Sequence, residues 1–285
     1  MLQDAFLKFI AQEIFKNIQD NNEQFYFSKA WHPEYYKDSN YRVRIAEELN
    51  KKLNKPLDGD YSTKSNSLSE PIRRIAQKIW KTFATEMIQD GFFLENQATR
   101  ENTYQWLWTK KFPRVAWDLA VKTATLVTED TLSLCDYHQP ITVEDRISTR
   151  VIPQEELLYK NTDYRLRLNL DSGGNLLLIN QSADGNKYLI APSKAFAEIP
   201  VTVINHILYL PPDKKANRAP ISFETEKELF LGIVTTEEIK LSWIAEDYRN
   251  EDVELNEMRL EEIFQEVGKL SNCQVFQRGF RVGEK

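Results

Sequence analysis

Three histidines, two cysteines and scattered carboxylates are the groups in this 285-residue chain with which a reaction could be run. Cys135 and His138 enclose Asp136-Tyr137, a C-x-x-H spacing that can grip zinc. A closed zinc site takes four ligands and no second pair of suitable spacing exists, so a turn carrying an incidental cysteine is the weightier reading. Cys273 stands in an apolar, strand-like run and reads as a buried, inert thiol. No metal-ligand set and no cofactor are expected. His32, in Trp31-His32-Pro33-Glu34, is the best-placed base, because an aromatic surround can tune an imidazole. A hydrogen-bonded packing histidine accounts for it more simply. Asp58-Gly59-Asp60 and Glu47-Glu48 are adjacent acids of the sort that metal-assisted phosphodiester cleavage gathers, although a loop and a helix face explain them as well. His32, Asp58 and Asp60 are therefore weak catalytic candidates, and an enzyme is less expected than a binding protein. Gly173-Gly174 is followed by no Gly-Lys-Ser/Thr and reads as a turn, not a phosphate cradle.

Candidates for binding are more numerous. Arg42, Arg44, Lys51, Lys52 and Lys55 interleave with Trp31, Tyr35, Tyr36 and Tyr41, the mixture that single-stranded nucleic-acid surfaces use. Glu34, Glu47 and Glu48 share the stretch and favour a mixed-charge face instead. Arg73-Arg74 carries the same ambiguity. The formal net charge is -6, and residues 1–150 hold as many acids as bases, so the whole excess lies in the second half. Non-specific nucleic-acid binding needs a concentrated basic face, so a nucleic-acid partner is disfavoured. Residues 246–266 carry nine acids, Glu254, Glu257 and Glu261 among them, and could dock on a basic partner. A solvated outer face is the simpler alternative.

The elements that must position these groups fall into two halves. Leu2, Phe6, Phe9, Ile10, Ile14 and Ile18 recur at helical spacing, which predicts a helix over residues 2–19. Phe25-Tyr26-Phe27 and Trp31 to Tyr36 read as an ordered connection, since Pro33 disfavours the helical region for His32. A second helix is predicted from about Asn40 to Asn54, capped by Ser39, and a loop over 55–67. A Ser67-x-x-Glu70 capping box, or Ser69 with Pro71, should open the clearest helix, about 70–90, with Gly91 closing it. Pro113 is expected to divide residues 99–128 into two short helices.

The pattern then changes. Residues 164–170 alternate as a half-buried strand should, Leu176 to Ile179 reads as a fully buried one, and Asp184-Gly185 marks a hairpin. Further strands are predicted at 200–204, 206–210, 221–224, 229–235 and 239–244. An acidic helix follows at about 250–267, stopped by Gly268, and a closing strand at about 273–282. The fold class is α+β, with a helical domain over 1–145 and, over 146–285, an antiparallel β-sandwich or barrel-like domain.

Tyr164-Arg165-Leu166-Arg167-Leu168, Asn175-Leu176-Leu177-Leu178-Ile179-Asn180 with Asp184-Gly185, Ala191-Pro192-Ser193, Tyr209-Leu210-Pro211 and Glu228 to Thr235 occur in that order. Residues 164–243 thereby resemble a bacterial family of β-rich modules of unknown function, appended to caspase-like peptidases and Ser/Thr kinases. The resemblance implies a signalling or effector-associated setting and transfers no catalytic residue. This chain shows neither a peptidase nor a kinase signature.

No run reaches the roughly 18–20 apolar residues that span a bilayer, and Met1 to Asp20 lacks the layout of a secretory signal. A cytoplasmic protein without a membrane partner is expected. The leading expectation is a non-enzymatic adaptor or regulatory protein that binds other proteins, through Trp31, Tyr35, Tyr36, Arg42, Arg44, Arg73, Arg74, Glu254, Glu257 and Glu261. A nuclease or hydrolase with a non-standard site near residues 25–60 is the alternative, and a nucleic-acid binder using the N-terminal domain the second alternative.

Overall fold

The computed structural model describes residues 2–16, 21–52, 68–92, 98–141, 158–170, 173–197, 201–203, 207–212, 219–246, 253–270 and 272–285. Two compact units divide the chain, one formed by Met1–Leu119 with Val267–Ser271 and the other by Ala120–Glu266 with Asn272–Lys285. The change from helix to strand comes at Thr123 to Thr125, earlier than residue 145.

Helix α1 (Leu2–Ile14) buries Leu2, Phe6, Leu7, Ile10 and Ile14 on one stripe. The aromatic segment expected to be a connection is helical instead. In α2 (Asn21–Ala30), Glu23, Phe27 and Ala30 recur at helical spacing and all three are buried, which the mix of aromatic and polar residues hides from a periodicity count. The one-turn helix α3 (Pro33–Tyr36) follows, with His32 extended at φ -76 and ψ 139 as a residue before proline must be. Helix α4 spans Tyr41–Lys52.

Helix α5 (Ser69–Gln89) carries the expected stripe, Ile72, Ile75, Ala76, Ile79, Phe83 and Met87. Its N-cap is Leu68 without a side-chain bond, so Ser69 does not cap it; the Ser69 hydroxyl accepts from Arg42 instead. At the other end Gly91, at φ +84, donates to the Ile88 carbonyl and Phe92 to that of Met87, the Schellman pattern that the glycine announces. Helices α6 (Arg100–Trp106) and α7 (Phe112–Thr123) are joined without a break by a π-helical turn, Leu107–Lys111. Pro113 therefore does not divide two helices. The wide turn just ahead of it, closed by Phe112 N–H on the Leu107 carbonyl, is where the chain absorbs the proline.

The second unit holds two sheets. The larger runs β1 (Thr125–Leu126), β11 (Cys273–Gly283), β9 (Lys227–Thr235), β5 (Gly174–Ser182), β6 (Lys187–Ala191) and β10 (Val253–Glu254), with β3 (Leu158–Tyr159) on β11 and β7 (Thr202–Val203) on β5. The smaller is β2 (Leu132–Asp136), β4 (Tyr164–Leu168) and β8 (Leu208–Leu210). Neither closes into a barrel, and the larger is not purely antiparallel, since β1 and β3 both run parallel to β11. Leu132, Leu166 and Leu210 of the small sheet and Leu178, Phe230 and Phe276 of the large one belong to a single buried cluster. The β5–β6 hairpin turns through Gly185 at φ +92, with Gly185 N–H on the Ser182 carbonyl.

Several other expectations change. Residues 221–224 form only a bridge between Ile221 and Tyr164, and α8 (Ser242–Glu246) replaces a strand at 239–244. The acidic helix, α9, spans Glu257–Lys269, and Gly268 lies inside it. A β-carbon there would stand 2.8 Å from the Phe112 ring, so this glycine permits close packing rather than a stop. Strand β4 is buried on both faces, because Arg165 and Arg167, 3% and 2% exposed, occupy the positions that alternation assigns to solvent. No helix among the described residues is long and apolar enough to cross a membrane.

Candidate functional site

The aromatic and basic residues of the helical unit satisfy one another. Trp31 is fully buried; its indole N–H donates to Thr103 Oγ1 at 3.0 Å and its carbonyl accepts from Trp108 Nε1 at 2.8 Å. Tyr35 is buried too, its hydroxyl bonded to Glu48 and receiving a bond from Lys29. Tyr36 stacks on Tyr104, with centroids 3.5 Å apart and planes at 2°. Partner contact by Trp31 and Tyr35 is thus corrected to a packing role, as the hydrophobic gain of burying such rings dictates.

The arginines are engaged as well. Arg44 bridges Glu34 at 2.8 Å and Asp38 at 3.1 Å, which raises its pKa further above the ordinary arginine value. The Asn40 backbone N–H, with Arg44 second, holds the Asp38 carboxyl below the usual range. Arg73 pairs with Glu70 at 2.7 Å, and Arg74 lies 3.5 Å from Glu23. Arg42 bonds Tyr41 and Ser69. These four do not form an open basic face. Arg100, missed by the sequence reading, is the centre of this region: it is buried, donates to the carbonyls of Ala30 and Tyr35, and lies 3.8 Å from the Tyr41 ring centroid and 5.0 Å from that of Tyr36. Burial lowers its pKa, and the faces of the rings supply negative potential in place of a carboxylate.

His32 serves as a helix cap. Its Nδ1 accepts the Glu34 backbone N–H at 3.2 Å, capping α3, and its Nε2 lies 3.9 Å from Asp4. Burial lowers its pKa, and the cap requires an unprotonated Nδ1, so the ring is neutral at pH 7. Asp58 and Asp60 lie outside the described residues. Cys135 donates to the Arg165 carbonyl and His138 meets Asp163 at 3.2 Å, so they do not converge on one point. Among the described residues no group of three or more His, Cys, Asp or Glu side chains could hold a metal ion.

The acidic helix keeps an outward stripe. Ile263, Phe264 and Val267 are fully buried, whereas Glu254, Glu257, Met258 and Glu261 are exposed, Met258 at 74%. Asn256 caps the helix by accepting the Arg259 N–H, and the Arg259 guanidinium lies 4.9 Å from the Trp243 ring and bonds the Glu254 carbonyl. On the helix Glu257, Met258 and Glu261 are exposed within about one turn, and Glu254 is exposed on β10 ahead of it.

A carboxylate that the sequence reading passed over lies in the β unit. Glu228 pairs with Ser182 across β5–β9 and with Phe280 across β9–β11, and on β9 it shares a face with Phe230 and Val234, which belong to the core. It is 4% exposed, accepts from Thr225 Oγ1 at 2.6 Å and Asn180 Nδ2 at 3.0 Å, and burial raises its pKa. The signal was an acid at an inward position of an apolar strand. A raised native pKa means the folded state binds the proton more tightly, so this group's contribution to stability falls as pH rises. Glu228→Gln is accordingly expected to raise Tm at pH 8, and the gain should vanish below about pH 4.3, the unfolded glutamate pKa. Melting curves at the two pH values check this, and an equal effect at both contradicts it. Comparison of the whole chain with protein-family models, curated proteins and solved structures finds no match in any of the three.

Proposed function

We propose that the protein is a non-enzymatic adaptor whose acidic helix, α9, docks on a basic segment of a protein partner. The observation that supports this reading is the division of the helix. Its inner face is fully buried at Ile263, Phe264 and Val267, while Glu257, Met258 and Glu261 stand exposed on it and Glu254 stands exposed on β10 just ahead. Acids ringing a methionine suit a segment that alternates lysine or arginine with apolar residues, where charge sets approach and the thioether supplies adaptable contact. We read the two sheets, with their shared core, as a sandwich, and the likeness of residues 164–243 to modules accompanying peptidases and kinases fits such a role.

A fluorescent, lysine-rich amphipathic peptide provides the test by anisotropy. It should bind the full chain more weakly as salt rises, and reversal to lysine at Glu254, Glu257 and Glu261 should weaken binding about tenfold or more, roughly 1.4 kcal/mol. Reversal of Glu237 and Glu238, exposed acids elsewhere, serves as the control. Equal loss in both triple and control variants, or none in the triple variant, overturns the reading.

A further inference from the structure

Glu228 is a buried acid whose bonding partners are neutral. A carboxylate so placed ordinarily has a cation beside it, because uncompensated burial of charge is costly. Its two partners are a hydroxyl and an amide, Thr225 and Asn180. Of two cavities that Glu228 borders, one is lined by Lys227 and Arg281, and the other has no lysine, arginine or histidine among the described residues that line it. That cavity has a volume of about 220 Å³. Glu228 is the buried acid within it, two exposed acids, Asp184 and Glu224, also line it, and Phe196 and Phe223 give it aromatic walls. Ser182 Oγ and the Asn186 N–H both donate to Asp184 and hold its carboxyl below the usual range, so it stays ionised.

Three features converge: a half-open cavity, a buried acid with no cation among the described residues lining that cavity, and two aromatic side chains that offer it apolar surface. We infer that this cavity binds a small organic ammonium ion, with the nitrogen on Glu228 and the apolar body against Phe196 and Phe223. The volume lies below the roughly 300–1,000 Å³ of drug-sized pockets, which limits the body to a short chain or one ring. Thr225 and Asn180, which also line the cavity, orient the carboxylate and leave its remaining lone pairs for the ligand's N–H groups. None of Glu254, Glu257, Met258 and Glu261 lines it.

Calorimetric titration of the full chain with phenethylamine, and with 2-phenylethanol as its neutral counterpart, tests the assignment. The amine should bind, and the alcohol should bind at least about tenfold more weakly, since a charge-assisted bond contributes roughly 1.5–3 kcal/mol. Glu228→Gln should weaken the amine about ten- to a hundredfold on the same grounds. Asp184→Asn, in an exposed turn, should weaken it only a few-fold. No amine binding, equal binding of amine and alcohol, or unchanged affinity in Glu228→Gln overturns the inference, as does displacement of the amine by equimolar calcium. If Glu228→Gln does not fold, the comparison of amine with alcohol on the unaltered protein decides alone.

Discussion

Trp31→Ala is expected to destabilise the protein by about 3–5 kcal/mol, the range for emptying a buried aromatic site. The ring is fully buried, lies 5.6 Å from Phe27, and bonds a hydroxyl seventy-two residues away, at Thr103. Its loss leaves a cavity and takes from that hydroxyl its donor. Urea denaturation followed by circular dichroism reads the effect as a lower midpoint with little change in slope. A tryptophan held at the surface for a partner would give a change near zero, so a loss below about 1 kcal/mol contradicts the packing role. Trp31→Phe, which keeps most of the ring volume, should recover much of the loss.

The second large effect belongs to Gly232. In the β9–β11 register it stands opposite Phe276, and a β-carbon at 232 would lie 2.1 Å from the Phe276 ring. The ring therefore covers the glycine, and both neighbours of β9, at Leu178 and Phe276, are in place before a side chain could be added. Gly232→Val is expected to cost about 3 kcal/mol or more, at the upper end of overpacking penalties. The two positions should also couple: in a Phe276→Ala background the same substitution should cost at least about 1 kcal/mol less, as contacting residues do in a double-mutant cycle. Additive losses would mean that the ring does not set the requirement for glycine.

Local chemistry was readable from the chain wherever the reason is local. The stripe of α5 and its Gly91 stop, the Asp184-Gly185 hairpin, the buried run at Leu176 to Ile179 and the strand from Cys273 follow from periodicity and turn residues. Helix α2 escaped because its inward positions are Glu23, Phe27 and Ala30, and pairing with Lys78 and Arg74 from α5 helps make the glutamate tolerable there. The strands expected at 221–224 and 239–244 had enough apolar residues, but strand identity depends on a continuous ladder, and among the described residues Ile221 meets Tyr164 and Phe223 meets Asn161 without forming one. The parallel pairing of β1 and β3 with β11 was likewise invisible, since it joins residues 125–126 and 158–159 to the C-terminal strand.

Sequence alone determined which segments could be helix, strand or turn, because φ/ψ preference and the periods of 3.6 and 2 act between near neighbours. Only the tertiary structure decided what each polar or aromatic side chain does. His32 became a cap, Trp31 a core residue, Arg100 a stacked cation, and Glu228 a buried acid. The physical reason is that burying a polar group is settled by its partners, and those of Trp31 and Glu228 arrive from distant parts of the chain, at Thr103 and Asn180.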